Sequence, residues 1–136
     1  MAAPSLDVVG IGNAMVDVLA QTDDAFLVAQ GLTKGTTALI DAQAAEALYA
    51  QMGAGIEMSG GSAGNTVAGI ASLGGRGAYI GKVRDDALGR VFAHDLHALG
   101  VRYETPAASD GAATARCLIL VTPDAQRTMN TFLGAC

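Results

Sequence analysis

Short apolar runs alternate with helical patterns along most of this chain. Residues 6–11 and 78–83 are short, mostly apolar runs with glycine at or near their ends, which is typical of buried core strands. Helical segments are predicted at 24–30, 42–52, 66–73 and 87–99. Strands that alternate with helices indicate an α/β fold built on a doubly wound, parallel sheet.

A second group of strands is less uniformly apolar. The strands near Val16, Leu39, Tyr103 and Ile119 have mixed character, which predicts a separate small sheet. Residues 114–122 and 128–133 flank a turn with proline at its second position, so we expect them to form a β-hairpin. Thr22 or Asp23 is predicted to cap the first helix and Asp41 the second.

The segment 59–73, SGGSAGNTVAGIASL, joins a glycine pair to a predicted buried helix. Gly60 and Gly61 permit close backbone approach, and Asn65 stands among apolar neighbours. A loop at a helix N-terminus offers backbone N–H groups to hydroxyls or anions. A tight turn before a well-packed helix explains the same sequence equally, so this stretch alone does not decide between a structural turn and a binding loop.

Composition narrows the range of partners. The chain has 136 residues, enough for one domain, and a formal net charge of −5 without a basic cluster, which argues against a nucleic-acid partner. No apolar stretch has the length of a membrane span, and the N-terminus lacks the features of a signal peptide, so we expect a cytoplasmic protein. Cys117 reads as a buried thiol, and no Cys/His spacing suggests a metal site.

Five residues form a candidate site for vicinal hydroxyls. A carboxylate accepts two hydroxyl hydrogen bonds, an amide both donates and accepts, and paired glycines let a polyol ring lie close to the backbone. These residues are Asn13, Asp17, Gly60, Gly61 and Asn65. Scattered capping residues are the alternative explanation. A dinucleotide site at Gly10 and Gly12 is disfavoured, because Met15 replaces the third glycine and a strand, not a helix, is predicted next.

Four segments carry a family resemblance: GIGNAMVD at 10–17, SGGSAGNTVAGIASLGG at 59–75, YIGKVRDDALGRVF at 79–92 and TARCLILVTPDAQRTMNTFLGA at 114–135. In this order and spacing they resemble the N-terminal half of a PfkB-type kinase of the ribokinase superfamily. The GNxxxD and GGSxxN patterns are more similar to the adenosine-kinase-like branch than to ribokinase or fructokinase. The resemblance implies an α/β core with a small β-sheet lid.

The resemblance also implies roles for the candidate residues. The activity would be transfer of the ATP γ-phosphate, with Mg²⁺, to a primary hydroxyl of adenosine or a related nucleoside or sugar. Asn13 and Asp17 would hold the sugar hydroxyls, Gly60 and Gly61 would supply close backbone, and Asn65 would add a hydroxyl contact. Cys117 and Leu133 would line the pocket.

The resemblance predicts that residues 1–136 are the N-terminal part of one kinase domain. Its core segments would be about 5–12 and 42–100, and its lid strands about 13–21, 33–40, 101–105 and 113–122. The family's GAGD-type motif, with its catalytic base, does not occur in the sequence. We therefore expect a fragment that lacks the nucleotide-binding half and is inactive alone. Two alternatives remain: another PfkB sugar kinase, ribokinase- or fructokinase-like, or a non-catalytic polyol-binding module that could dimerise through the lid sheet.

Overall fold

The computed structural model describes residues 5–136. Residues 1–4, which belong to the predicted range 1–136 and to the N-terminus assessed for a signal peptide, lie outside the described residues. The described strands are β1 (Val8–Ile11), β2 (Met15–Gln21), β3 (Thr37–Leu39), β4 (Gly55–Gly60), β5 (Gly77–Ile80), β6 (Arg102–Tyr103), β7 (Ala115–Val121) and β8 (Arg127–Phe132). The helices are α1 (Asp24–Ala29), α2 (Ala42–Gln51), α3 (Ser62–Ser72) and α4 (Ala87–Ala98).

The two apolar runs pair in a three-stranded parallel sheet of order β1-β5-β6. Helix α3 packs on β1 and β5, and the rings of Tyr79, Phe92 and Tyr103 fill the space towards α4, with centroids 5.4 to 6.2 Å apart. The opposite face of the sheet leaves Val9 and Ile80 about half exposed. The predicted α/β class with a parallel core sheet is confirmed.

The second sheet has five strands in the order β3-β8-β7-β2-β4 and mixes parallel with antiparallel pairs. Its central pair is β2 and β7, which run parallel. One face is buried, with Val16 and Leu118 fully enclosed, and α2 packs against it. The other face, called the open face below, carries Asp17 together with Met58 and Ile56, which are 43% and 60% exposed. This sheet is larger than the small sheet expected.

Two parts of the predicted core and lid ranges are wrong. Residues 101–105 were expected in the lid, but β6 pairs with β5 in the three-stranded sheet. The range 42–100 was expected to be core throughout, but β4 pairs with β2 in the five-stranded sheet. A strand as short as β6 gives no pattern that identifies its partner, and the glycines at both ends of β4 hide its alternation.

Local signals were more reliable. Asp23 and Asp41 accept hydrogen bonds from backbone N–H groups in the first turns of α1 and α2, both at 2.8 Å, as predicted. Strands β7 and β8 form the predicted antiparallel hairpin. The element after Asn13 is the strand β2, as predicted. A dinucleotide-binding loop would be followed by a helix instead.

Candidate functional site

Asp17 lies on the open face of the five-stranded sheet. Strand β2 alternates strictly, so Val16 and Val18 point into the core while Asp17 between them is half-buried on the other side. Its Cα is paired with Met58 on β4 and with Cys117 on β7. Desolvation raises the pKa of Asp17, and no hydrogen bond from a described residue lowers it.

Gly60 lies directly against the Asp17 carboxylate. A Cβ built at Gly60 would overlap the carboxyl carbon and both carboxylate oxygens of Asp17. Gly60 is the last residue of β4 and is paired with Met15, two residues before Asp17. Glycine is therefore the residue that lets this carboxylate lie flat over the end of β4.

Gly61 makes the turn from β4 into α3. Its φ of +85° lies in the region that side chains disfavour, and a Cβ there would be 2.8 Å from the carbonyl oxygen of Asn13. As the N-cap of α3 it supplies no side-chain acceptor, whereas aspartates cap α1, α2 and α4. The first amides of α3 therefore have no side-chain cap.

Asn13 and Asn65 complete the set that the sequence singled out. Asn13 is exposed in the short connection between β1 and β2, and its carbonyl lies beside Gly61. Asn65 is exposed one turn into α3, and its N–H donates to the Gly61 carbonyl at 2.8 Å. The glycine pair thus lies against the Asp17 carboxylate, the Asn13 carbonyl and the first turn of α3.

Cys117 and Leu133 occupy different surroundings. Cys117 is buried beside Asp17 on the same face, and burial raises the pKa of its thiol. Leu133 follows the end of β8 and is 39% exposed. Sequence reasoning missed Thr131, whose hydroxyl donates to the Cys117 sulfur at 3.3 Å, because that contact depends on the β7–β8 register.

Metal ligands and a catalytic base are the other groups that the family resemblance leads us to expect. Within residues 5–136, no cluster of three His, Cys, Asp or Glu side chains is placed to hold a metal ion. The sequence also lacks the GAGD motif that the resemblance associates with the base. Residues 5–136 therefore contain no set of side chains that fits Mg²⁺ by itself.

The helices in the described part of the chain are all too short or too polar to cross a membrane.

Among known proteins, two solved structures match nearly the whole chain and a further protein matches about half of it. An adenosine kinase structure from Sinorhizobium meliloti is 55% identical with a TM-score of 0.90, covering 98% of this chain and 41% of its own. A probable sugar kinase from Rhizobium etli CFN 42 is 51% identical with a TM-score of 0.89, covering 96% of this chain and 40% of its own. Probable fructokinase-4 of Arabidopsis thaliana is 36% identical over 72 residues, which is 53% of this chain and 22% of that protein.

This chain thus spans 41% or less of each of these three proteins. The family model for pfkB family carbohydrate kinases matches residues 8–136. That match includes both sheets and every residue of the candidate site. The chain belongs to the pfkB family of carbohydrate kinases.

Proposed function

We propose that this chain carries the acceptor-binding part of an ATP-dependent kinase that phosphorylates a primary hydroxyl of adenosine or a closely related nucleoside or sugar. The observation that supports this most directly is the Asp17 carboxylate, half-buried on the open face and packed against the bare backbone of Gly60. A carboxylate without a protein hydrogen-bond partner can accept from two neighbouring hydroxyls, which a ribose presents.

The neighbouring surface supports a nucleoside in particular. The positions around Asp17 on β2, β4 and β7 carry Met15, Leu19, Met58 and Ile119, so the flat face of a nucleobase would find an apolar surface next to the carboxylate. Asn13, Gly61 and Asn65 would add amide and backbone contacts on the sugar side. Asp17 and Asn13 are assigned to the sugar hydroxyls, and Cys117 and Leu133 to the wall of the pocket.

Isothermal titration of the full-length polypeptide with adenosine, ribose and fructose tests this proposal. Adenosine is expected to bind more tightly than either sugar, because it adds base contacts to the hydroxyl contacts. Asp17→Ala is expected to weaken adenosine binding about tenfold or more, the usual effect of losing hydrogen bonds to a charged group. Asp110→Ala, at an exposed loop position, is the matched control. Equal affinity of wild type and Asp17→Ala would contradict the assignment.

A sugar kinase is the second candidate, favoured by the similarity to a probable fructokinase and to a probable sugar kinase. Tight binding of fructose or ribose with weak binding of adenosine would select it. A polyol-binding module without catalysis is distinguished by adding ATP and Mg²⁺ and following phosphate transfer to the bound acceptor. Both ATP and Mg²⁺ are assigned through the family.

Two further assignments belong to the same proposal. A homodimer through the five-stranded lid sheet is one of them, and light scattering tests it. We assign the enzyme to the cytoplasm, where ATP and free nucleosides are available. Cell fractionation tests that assignment.

A further inference from the structure

Helix α4 is hydrogen-bonded to β4, the strand of the five-stranded sheet that ends in the glycine pair. The Ser59 N–H donates to Oδ2 of Asp95 at 2.8 Å. Ser59 is followed directly by Gly60 and Gly61, and β4 pairs with β2 alone, on its other side. The amide of Ser59 therefore lies on the free edge of the sheet, where a strand ordinarily leaves its N–H groups to water.

Asp95 is presented from a rigid part of the fold. It lies on α4 between Phe92 and Leu96, which are both fully buried, and the Phe92 ring packs on Tyr79 and Tyr103. The Asp95 side chain itself is 28% exposed, with Oδ1 3.4 Å from Nδ1 of His94. A carboxylate held from a packed helix fixes its partner more precisely than one carried on a loop.

Helix stability does not account for an aspartate at this position. Asp95 stands in the last turn of α4, where the helix dipole disfavours a negative charge. The compensating contact is the bond to the Ser59 amide. Ser59, Asp95 and Asn65 also line one groove of about 310 Å³, so the tie is made where β4, α3 and α4 meet.

We propose that Asp95 is a positioning residue for acceptor binding. By holding Ser59 against α4, it fixes the end of β4 and therefore the Gly60–Gly61 turn under the Asp17 carboxylate. Asp17 is carried by the five-stranded sheet, and Asn65 by a helix of the other layer. The Asp95–Ser59 hydrogen bond therefore sets the distance between Asp17 and Asn65, and with it how well a sugar fits between them. This inference rests on the proposed acceptor site.

The test compares Asp95→Ala, which removes the acceptor, with Asp95→Asn, which keeps an acceptor oxygen of the same shape. Asp85→Ala is the matched control, because Asp85 is an exposed aspartate just before α4 that pairs with Arg90. All are made in the full-length polypeptide. Three quantities are measured: hydrogen exchange of the Ser59 amide, adenosine affinity by titration, and KM and kcat for the acceptor.

Asp95→Ala is expected to speed Ser59 exchange and to weaken adenosine binding and raise the acceptor KM about tenfold, with kcat within about twofold of wild type. Asp95→Asn is expected to restore most of the affinity, and Asp85→Ala to match wild type. If Asp95→Ala does not fold, Asp95→Asn carries the test, with an expected KM increase of about two- to threefold, since a neutral acceptor bonds more weakly.

Faster Ser59 exchange with unchanged affinity and KM would show a purely structural tie and overturn the proposal. Unchanged exchange in Asp95→Ala would overturn it as well. The wild-type titration separates this proposal from the one it rests on. If wild type binds neither nucleoside nor sugar, the acceptor site itself is wrong, and the role of Asp95 is withdrawn with it.

Discussion

At the scale of single residues, Gly60 is the glycine of the candidate site that lies nearest to the Asp17 carboxylate. Gly60→Ala would force the new methyl group into the Asp17 carboxylate. Overpacking of this kind typically costs about 1–3 kcal/mol, so we expect the free energy of unfolding to fall by that amount and acceptor affinity to fall with it. Urea denaturation measures the first effect and titration the second.

Gly53→Ala is the matched control, because a Cβ there meets no atom within 4 Å. We expect it to change stability by less than about 0.5 kcal/mol. If Gly60→Ala proved as stable as Gly53→Ala, the close packing of carboxylate on glycine would be refuted.

The carboxylate of Asp17 is expected to reduce stability at neutral pH. Burial raises its pKa above the ordinary 3.8, so the native state binds this proton more tightly than the unfolded state does. Stability from this group therefore falls as pH rises from below 3.8 through the raised pKa, and then stays level. Asp17→Asn removes the effect.

Denaturation at several pH values checks this sign. Asp17→Asn should be more stable than wild type at pH 7, and the advantage should shrink in acid. An advantage that grows as the pH falls would show that the carboxylate is stabilised by a partner in the folded protein.

The sequence led to the site residues more readily than to their contacts. Asp17 stood out as a charge in an apolar strand, and Gly60 and Gly61 as a pair before a helix. That the carboxylate rests on Gly60 depends on the β2–β4 register, and β4 itself was not predicted. Thr131 was missed for the same reason, since its neighbour Cys117 is 14 residues away along the chain.

At the scale of elements, Asp86 joins the start of α4 to the start of β7. Its side chain accepts from the Gly89 N–H at 2.8 Å, the Thr114 N–H at 2.9 Å and the Thr114 hydroxyl at 2.7 Å. We expect Asp86→Ala to cost about 2–3 kcal/mol in free energy of unfolding, against about 1 kcal/mol for Asp41→Ala, which removes a single capping bond. Equal losses in the two variants would contradict this.

The Asp86 contribution should disappear in acid. Desolvation raises the pKa of Asp86, but the hydrogen bonds from Thr114 and Gly89 outweigh it and leave the pKa below the ordinary 3.8. A lowered pKa means stabilisation that is present above 3.8 and lost as pH falls through the folded value. Denaturation of wild type and Asp86→Ala at pH 7 and pH 2.5 should show the difference between them narrowing.

Elements with a strong local signal were predicted closely. Helices α2 and α4 combine helical spacing with an aspartate cap, and their observed bounds lie within one residue of the predicted 42–52 and 87–99. Strands β4 and β6 gave no such signal. Their places are decided by partners distant in sequence, through tertiary pairing that local pattern does not encode.

At the scale of the whole molecule, the three-stranded sheet has one bare apolar face. Val9, Ile11 and Ile80 are 50%, 75% and 46% exposed there, although parallel sheets are ordinarily covered on both faces. We expect the 136-residue chain by itself to bind an apolar fluorescent dye. Replacing Ile11 and Ile80 together by Thr should remove about half or more of the signal.

Leu73→Thr is the control, because Leu73 is 89% exposed but lies alone at the end of α3. It should leave dye binding nearly unchanged. Equal loss of signal in both variants would show that the dye does not report on this face.

The pairing of β2 with β7 also bears on how the chain folds. Met15 is paired with Ala115, a separation of 115 − 15 = 100 residues, and β5, β6 and helices α1 to α4 all come from the chain between them. Contacts that close so long a loop form late and slowly. During synthesis, β2, which carries Asp17, therefore has no β7 partner until residues 115–121 have left the ribosome. The candidate site around Asp17 is then among the last parts of this chain to form.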